Sequence, residues 1–318
     1  MNCIFPTTRR VLIALGVLGV LAAPAVAETM VTDATGRSVT IRDTSRIVSI
    51  GGAVTEILYA LGQSDKIVGI DTTSLFPPQA MKEKASVGYM RQLSAEGVLG
   101  LRPSLMIAIA GAGPKEAINV LEAAKVPLVV VPETFSIEGV AQKVAVIGKV
   151  VGEEARAQCI VRRLNADKDA LTKIRAGIRA PKRVLFVLSF INGRAMAAGK
   201  GTAADGIIDL AGGVNVMSDY EGYKSINDEA VIAAKPDVIL TMKRGGADDL
   251  TAETIFAGPA FQTTPAAATK AFVSFDAAYM LGFGPRVGRA ARDVADALYP
   301  ELKSAQLPSE QPSGPCIE

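Results

Sequence analysis

A stretch in the first half of this chain recurs without a gap in the second, and that repeat constrains the fold more than any other feature. Leu93-Ser94-Ala95-Glu96-Gly97-Val98-Leu99-Gly100-Leu101-Arg102-Pro103-Ser104-Leu105-Met106-Ile107 aligns on Ile226-Asn227-Asp228-Glu229-Ala230-Val231-Ile232-Ala233-Ala234-Lys235-Pro236-Asp237-Val238-Ile239-Leu240. Each copy reads as a short helix, a proline stop and a buried strand. Ser94 and Asn227 are capping residue types, and Pro103 and Pro236 end the helices ahead of the apolar runs. A looser echo pairs Thr55-Glu56-Ile57-Leu58-Tyr59-Ala60-Leu61-Gly62 with Ala204-Asp205-Gly206-Ile207-Ile208-Asp209-Leu210-Ala211. Such a chain is expected to build two similar units, which its length also favours over a single core.

Apolar runs at residues 47–50, 67–70, 105–108 and 128–131 alternate with helical stretches in the first half. Runs at 184–189, 238–241 and 271–275 do so in the second, with a weaker strand signal near Val214. Short apolar strands alternating with helices predict an α/β fold of two similar lobes with mainly parallel sheets. Residues 29–41 alternate around Thr35-Gly36 and predict a hairpin. Residues 136–178 are rich in alanine, lysine, arginine and glutamate and carry a helical period, interrupted at Gly148 and Gly152. They read as one helix to about Val151 and a long one from Glu153. At 1.5 Å per residue, roughly 25 residues reach about 37 Å, enough to bridge two lobes side by side. The expected division is a leader at 1–27, an N-terminal lobe at 28–135, bridging helices at 136–180, a C-terminal lobe at 181–304 and a flexible tail at 305–318. Residues 265–269, a proline followed by alanines, read as a loop.

Arg9-Arg10, the apolar run 11–23 and Ala25-Val26-Ala27 are the charged, hydrophobic and small-residue parts of a cleavable export signal. A periplasmic protein cleaved near Ala27 is expected. The arginine pair fits general secretory or twin-arginine export. Losing the leader removes Arg9, Arg10 and no acid, so the formal net charge falls from +2 to 0. Nucleic acid is then not an expected partner, because its binders carry a basic stripe. Of three cysteines, Cys3 leaves with the leader. Cys159 and Cys316 are able to pair in an oxidising compartment, and read equally well as two free thiols.

The chain contains no histidine. Just ahead of the first copy of the repeat stands Val87-Gly88-Tyr89-Met90-Arg91-Gln92. Phenolate is a hard anionic donor suited to iron(III), and tyrosine is one of the axial ligands of haem. A free phenol gives up its proton only near pH 10. A ferric ion and a fixed cation both favour the anion, and Arg91 supplies such a cation. In an extended segment Tyr89 and Arg91 would share a face, and Gly88 would let a flat macrocycle approach the backbone. The same residues also fit a rim tyrosine beside a solvated arginine.

Two α/β lobes, an export signal and a helical bridge together resemble the periplasmic substrate-binding proteins of ABC importers for iron chelates, cobalamin and haem. Val87-Gly88-Tyr89-Met90-Arg91-Gln92-Leu93-Ser94-Ala95-Glu96-Gly97 is similar to the segment that carries the haem-ligating tyrosine in periplasmic haem-binding proteins. So are Met196-Ala197-Ala198-Gly199, Thr241-Met242-Lys243-Arg244-Gly245-Gly246 and Leu281-Gly282-Phe283-Gly284-Pro285-Arg286. The resemblance implies haem b (hemin) as the transported ligand, Tyr89 as its iron ligand and Arg91 as the cation beside it. It places Arg244 across the cleft. Lys243 would meet a haem propionate, or be a solvated loop lysine. Met90, Met242, Phe190, Ile191, Tyr279, Met280 and Phe283 are candidate apolar walls. Glu96 and Glu229, equivalent in the repeat, would dock on the two subunits of an inner-membrane ABC permease dimer. Acids in a first helical turn also have a dipole reason to be there. Some relatives place a histidine near the 190–194 loop and hold a second haem. Here that loop is Phe190-Ile191-Asn192-Gly193-Arg194, so one haem per monomeric chain is expected.

Two other cargoes of the same fold, ferric siderophore and cobalamin, need no tyrosinate. A tyrosine-ligated haem enzyme would need a positioned acid/base, usually histidine, and there is no GxSxG nucleophile elbow. Zinc or manganese capture leans on imidazole and thiolate.

Overall fold

The computed structural model describes residues 28–246, 249–305 and 316. The leader expected at 1–27, and the tail apart from residues 305 and 316, lie outside the described residues. Strands β1 (Thr29–Thr32) and β2 (Ser38–Ile41) form the hairpin that the alternation predicts, with Thr29 opposite Ile41.

The first sheet contains β3 (Ile47–Ile50), β4 (Ile67–Ile70), β5 (Ala85–Ser86), β6 (Leu105–Ile109) and β7 (Leu128–Val131). Its order is β5-β4-β3-β6-β7, and every pair is parallel. Strands β3, β6 and β7 are buried at every residue, as a parallel sheet covered on both faces requires. The second sheet contains β8 (Arg183–Ile191), β9 (Arg194–Ala198), β10 (Val214–Asn215), β11 (Tyr223–Ile226), β12 (Val238–Lys243) and β13 (Phe272–Asp276). Its order is β11-β9-β8-β12-β13, with β10 beside β8. Here the sheet is mixed, because β9 runs antiparallel to both β8 and β11.

The repeat is reproduced down to the backbone. Strands β6 and β12 occupy the same place in their sheets, each preceded by the expected short helix, Ala95–Gly100 and Asp228–Ala234. The Ser94 hydroxyl accepts from the Gly97 N–H at 3.2 Å, and Asn227 Oδ1 accepts from the Ala230 N–H at 3.0 Å. Arg102 and Lys235, equivalent residues, both adopt left-handed conformations, φ 48° and 43°, one residue before Pro103 and Pro236. A proline disfavours right-handed helix in the residue before it, so both helices stop there. The looser echo becomes the helices Gly52–Ala60 and Ala203–Leu210.

Helices Ile137–Val151 and Glu154–Gly177 link the lobes. Gly152, at φ 73°, ends the first. Gly148 does not interrupt it, contrary to the sequence expectation. A Cβ there would lie 2.3 Å from the Ala157 Cβ, so this glycine lets the two helices touch. Residues Pro265–Thr269 form a helix rather than a loop. Pro265 opens it where no N–H is needed, and the Thr264 hydroxyl accepts from the Ala267 N–H. A disulfide joins Cys159 of the long helix to Cys316, Cα–Cα 5.8 Å.

The lobes meet along a seam. Arg286 Nε and Nη2 donate to the two carboxylate oxygens of Glu56, at 2.9 and 3.0 Å. The guanidinium also lies 3.5 Å from the centre of the Phe76 ring. Phe135 and Phe283 pack edge to face at 5.1 Å. Buried Lys143 donates to Glu133 Oε1 at 3.2 Å and to the Phe283 carbonyl at 3.4 Å. One apolar cluster runs from the first lobe through the bridging helices into the second.

Candidate functional site

Tyr89 stands just past the carboxyl end of β5, the edge where ligands of parallel α/β sheets bind. Below it, the buried Asp71 carboxylate accepts from the N–H groups of Gly51 and Thr73 and from the hydroxyls of Thr73 and Ser74. That knot fixes the ends of β3 and β4. The Val87 N–H continues the sheet by donating to the Ile70 carbonyl. Gly88 then turns at φ 86°, a conformation an L side chain rarely adopts, and its carbonyl accepts from the Thr72 N–H.

The next residues are not extended. The Gln92 N–H donates back to the Tyr89 carbonyl at 2.8 Å, so Tyr89 to Gln92 form a tight turn. Tyr89 and Arg91 therefore belong to one turn and not to one face of an extended strand, contrary to the sequence expectation. The turn is pinned where the Gly113 N–H donates to the Met90 carbonyl and the Leu93 N–H to the Gly113 carbonyl. Tyr89 is 42 % exposed; Arg91 is exposed and Met90 half-buried.

Arg91 acts on ionisable groups of both lobes. Burial pushes the Glu133 carboxyl up, opposed by Lys143 and by Arg91. Lys143 is in turn pushed below the usual lysine range by burial, opposed by Glu133. Across the cleft, burial pushes the Tyr223 phenol up, while a hydrogen bond with Thr202 and the Arg91 guanidinium act the other way. Tyr223 is nevertheless 38 % exposed as a side chain.

Lys243 ends β12 opposite Asp276, and both Lys243 and Arg244 are exposed. The N–H groups of Arg244 and Gly245 donate to the Asp249 carboxylate at 2.7 and 3.0 Å, which holds that carboxyl below its ordinary range. Among the described residues, no hydrogen bond, ion pair or ring contact links Lys243 or Arg244 to the Tyr89 turn. Glu96 and Glu229 are exposed at matching positions in the first turns of their helices.

Several expected walls are core instead. Met280 and Phe283 are fully enclosed and Met242 is buried. Phe190 packs on Phe261, and the Tyr279 hydroxyl donates to Asp293. Of the second-lobe candidates, Ile191 stands open at 65 % exposure. Sequence reasoning missed Glu133, Lys143, Thr202 and Tyr223. The only signal for the last is that it is one of six tyrosines, three residues before the second copy of the repeat. Among the described residues there is no cluster of carboxylates and cysteines able to hold a metal ion, and no helix is long and apolar enough to cross a membrane.

The model of the periplasmic binding protein family matches residues 47–279. Among solved structures, the chain is similar to the periplasmic heme-binding protein BhuT in complex with two hemes. That match has 37 % identity over 81 % of this chain and 98 % of that one, with a TM-score of 0.76. The periplasmic heme-binding protein RhuT from Roseiflexus sp. RS-1 matches at 34 % identity, over 83 % of this chain and 100 % of that one, also at TM-score 0.76. A cobalamin-binding protein of Halobacterium salinarum is 25 % identical over 84 % of this chain and 73 % of its own length. Fold and bridge agree with these relatives, which are binding components of transport and not enzymes. The chain belongs to the periplasmic binding protein family, as a substrate-binding protein of its haem, cobalamin and siderophore branch.

Proposed function

We propose that this protein captures haem b, as hemin, in the periplasm and delivers it to an ABC importer. The observation that carries the reading is an exposed phenol on a glycine turn at the ligand edge of a parallel sheet, with a guanidinium in the same turn. Tyr89 is the iron ligand, and Arg91 stabilises its phenolate form against the porphyrin's ferric centre. One phenolate bond holds the ligand firmly yet reversibly. Arg244 faces the iron site from across the cleft, and Lys243 meets a haem propionate at the rim.

The export signal is removed near Ala27, and residues 28–135 and 181–304 act as the two lobes about the bridge at 136–180. The protein works as a monomer and carries one haem. Glu96 and Glu229 dock on the two subunits of the permease dimer. A pseudo-symmetric protein offers one acid to each half of such a partner.

The competing cargo is a corrinoid, since cobalamin binders are among the relatives. Adding hemin to wild type and Tyr89→Ala decides between them. The haem reading expects a Soret band with a tyrosinate charge-transfer feature in wild type, lost in Tyr89→Ala and kept in Tyr59→Ala. Binding of cyanocobalamin, with no hemin spectrum, would replace haem by corrinoid.

A further inference from the structure

The second lobe carries an open sheet face that neither the repeat nor the strand-end arginine accounts for. Residues paired across neighbouring strands lie on the same face, as do positions i and i+2 of one strand. In β11 and β9, Tyr223 lies opposite Ala198 and Ser225 opposite Met196. In β9 and β8, Met196 lies opposite Ser189 and Arg194 opposite Ile191. Tyr223, Met196 and Ile191 therefore share one face, and they are 38 %, 37 % and 65 % exposed. The opposite face is closed, because Ala195, Ala197 and Ile226 are buried in the outer core of the lobe.

Three large apolar side chains left open on one side of a sheet need a reason. The first lobe supplies it. Gly206, in the helix Ala203–Leu210 that follows β9, packs closely on Phe135 just past the carboxyl end of β7, so this side of the second lobe adjoins the ligand edge of the first sheet, and the Arg91 guanidinium there also acts on the Tyr223 phenol. Thr202, the buried cap of that helix, lies beside the same phenol.

We infer that the open face of the β8-β9-β11 ribbon is the second wall of the ligand cleft, with Tyr223 as the aromatic contact on the porphyrin face turned away from Tyr89. The inference rests on the haem reading above. A flat, largely apolar macrocycle suits a wall of one phenol ring, one thioether and one aliphatic side chain, since aromatic stacking and methionine contacts both tolerate a planar π-system. It adds the face of the antiparallel ribbon to the β12 end that carries Lys243 and Arg244.

Hemin titrations of wild type, Tyr223→Ala, Tyr223→Phe and Met196→Ala test it, read by Soret absorption and the tyrosinate charge-transfer band. Tyr223→Ala should weaken hemin about ten-fold, as truncation of a central aromatic contact does, with the tyrosinate band unmoved. Tyr223→Phe should keep the affinity, because the ring remains, and Met196→Ala should weaken it by a smaller factor. Tyr223 is exposed on an edge strand, so the variants are expected to melt with wild type, which far-UV circular dichroism checks. Unchanged affinity in Tyr223→Ala, with wild type binding through Tyr89, would overturn the second wall and leave the haem reading standing. A shifted charge-transfer band in Tyr223→Ala would also overturn it, because Tyr223 would then act on the iron ligand. Absence of hemin binding in wild type would remove both.

Discussion

Single residues differ sharply in how much of their role the sequence discloses. Tyr89 stands out as a candidate because it is a phenol in a histidine-free chain, with glycine before it and arginine two places after, although the same residues fit a rim tyrosine. Lys143 is not legible, because a lysine in an alanine-rich amphipathic helix reads as solvated surface. It is instead fully enclosed, with Glu133 ten positions upstream and the Phe283 carbonyl in the other lobe as its partners. No local pattern encodes a contact spanning that distance. Removing one partner of a buried pair leaves the other charge uncompensated, so Lys143→Met should cost about 3 kcal/mol at neutral pH. The pH dependence has a definite sign. Without the ammonium, the Glu133 carboxyl is held still further above its ordinary value of 4.5. The folded variant then takes up a proton before the unfolded chain does. Stability is regained as pH falls through the folded-state value and is complete below 4.5. Urea melts of wild type and Lys143→Met at a series of pH values should show the gap narrowing in acid, and a constant gap would contradict the assignment.

At the scale of elements, four of the five strands in the first lobe's parallel sheet were readable almost residue for residue, because a parallel strand buried on both faces is simply an apolar run, whereas the short exposed β5 that leads to Tyr89 was not. The antiparallel ribbon was not, since Arg194-Ala195-Met196-Ala197-Ala198 contains no β-branched or aromatic residue and owes its conformation to the strands beside it. Glycine was misread for a related reason. Gly152 and Gly148 look alike in sequence, yet one ends a helix with a left-handed residue and the other is a contact surface. The two roles predict different substitutions. Gly152→Ala should lose about 1 kcal/mol from backbone strain alone. Gly148→Val should lose about 1–3 kcal/mol, because its side chain must push Glu154–Gly177 away from Ile137–Val151. Thermal denaturation separates them through the Ala157→Gly background, which makes room at Gly148. The Gly148→Val cost should shrink there and the Gly152→Ala cost should not.

The whole molecule combines similar lobes with a seam that is unlike anything in the repeat. Glu56, Arg286, Phe135 and Phe283 close the lobes on one another, and the apolar cluster passes through the bridge without a break. Large hinge closure would have to tear both apart, so the protein presents its surface to a partner in nearly one arrangement, loaded or empty. Rigid presentation bears on the docking proposed for the paired acids. Glu96 and Glu229 occupy equivalent first turns in lobes whose separation is fixed, so their spacing is set by the fold. If each meets a cation on one permease subunit, losing one should weaken transfer and losing both should abolish it, because the two contacts act as one bivalent attachment. Haem uptake by cells carrying Glu96→Lys, Glu229→Lys or both should fall in that order, with the double variant near background. Hemin affinity of the purified variants should stay at the wild-type value, since neither acid lies in the turn that holds Tyr89. Full uptake in the double variant would remove these acids from the docking surface. Equal loss of uptake and of hemin affinity would mean that the substitutions damage the lobes rather than their attachment.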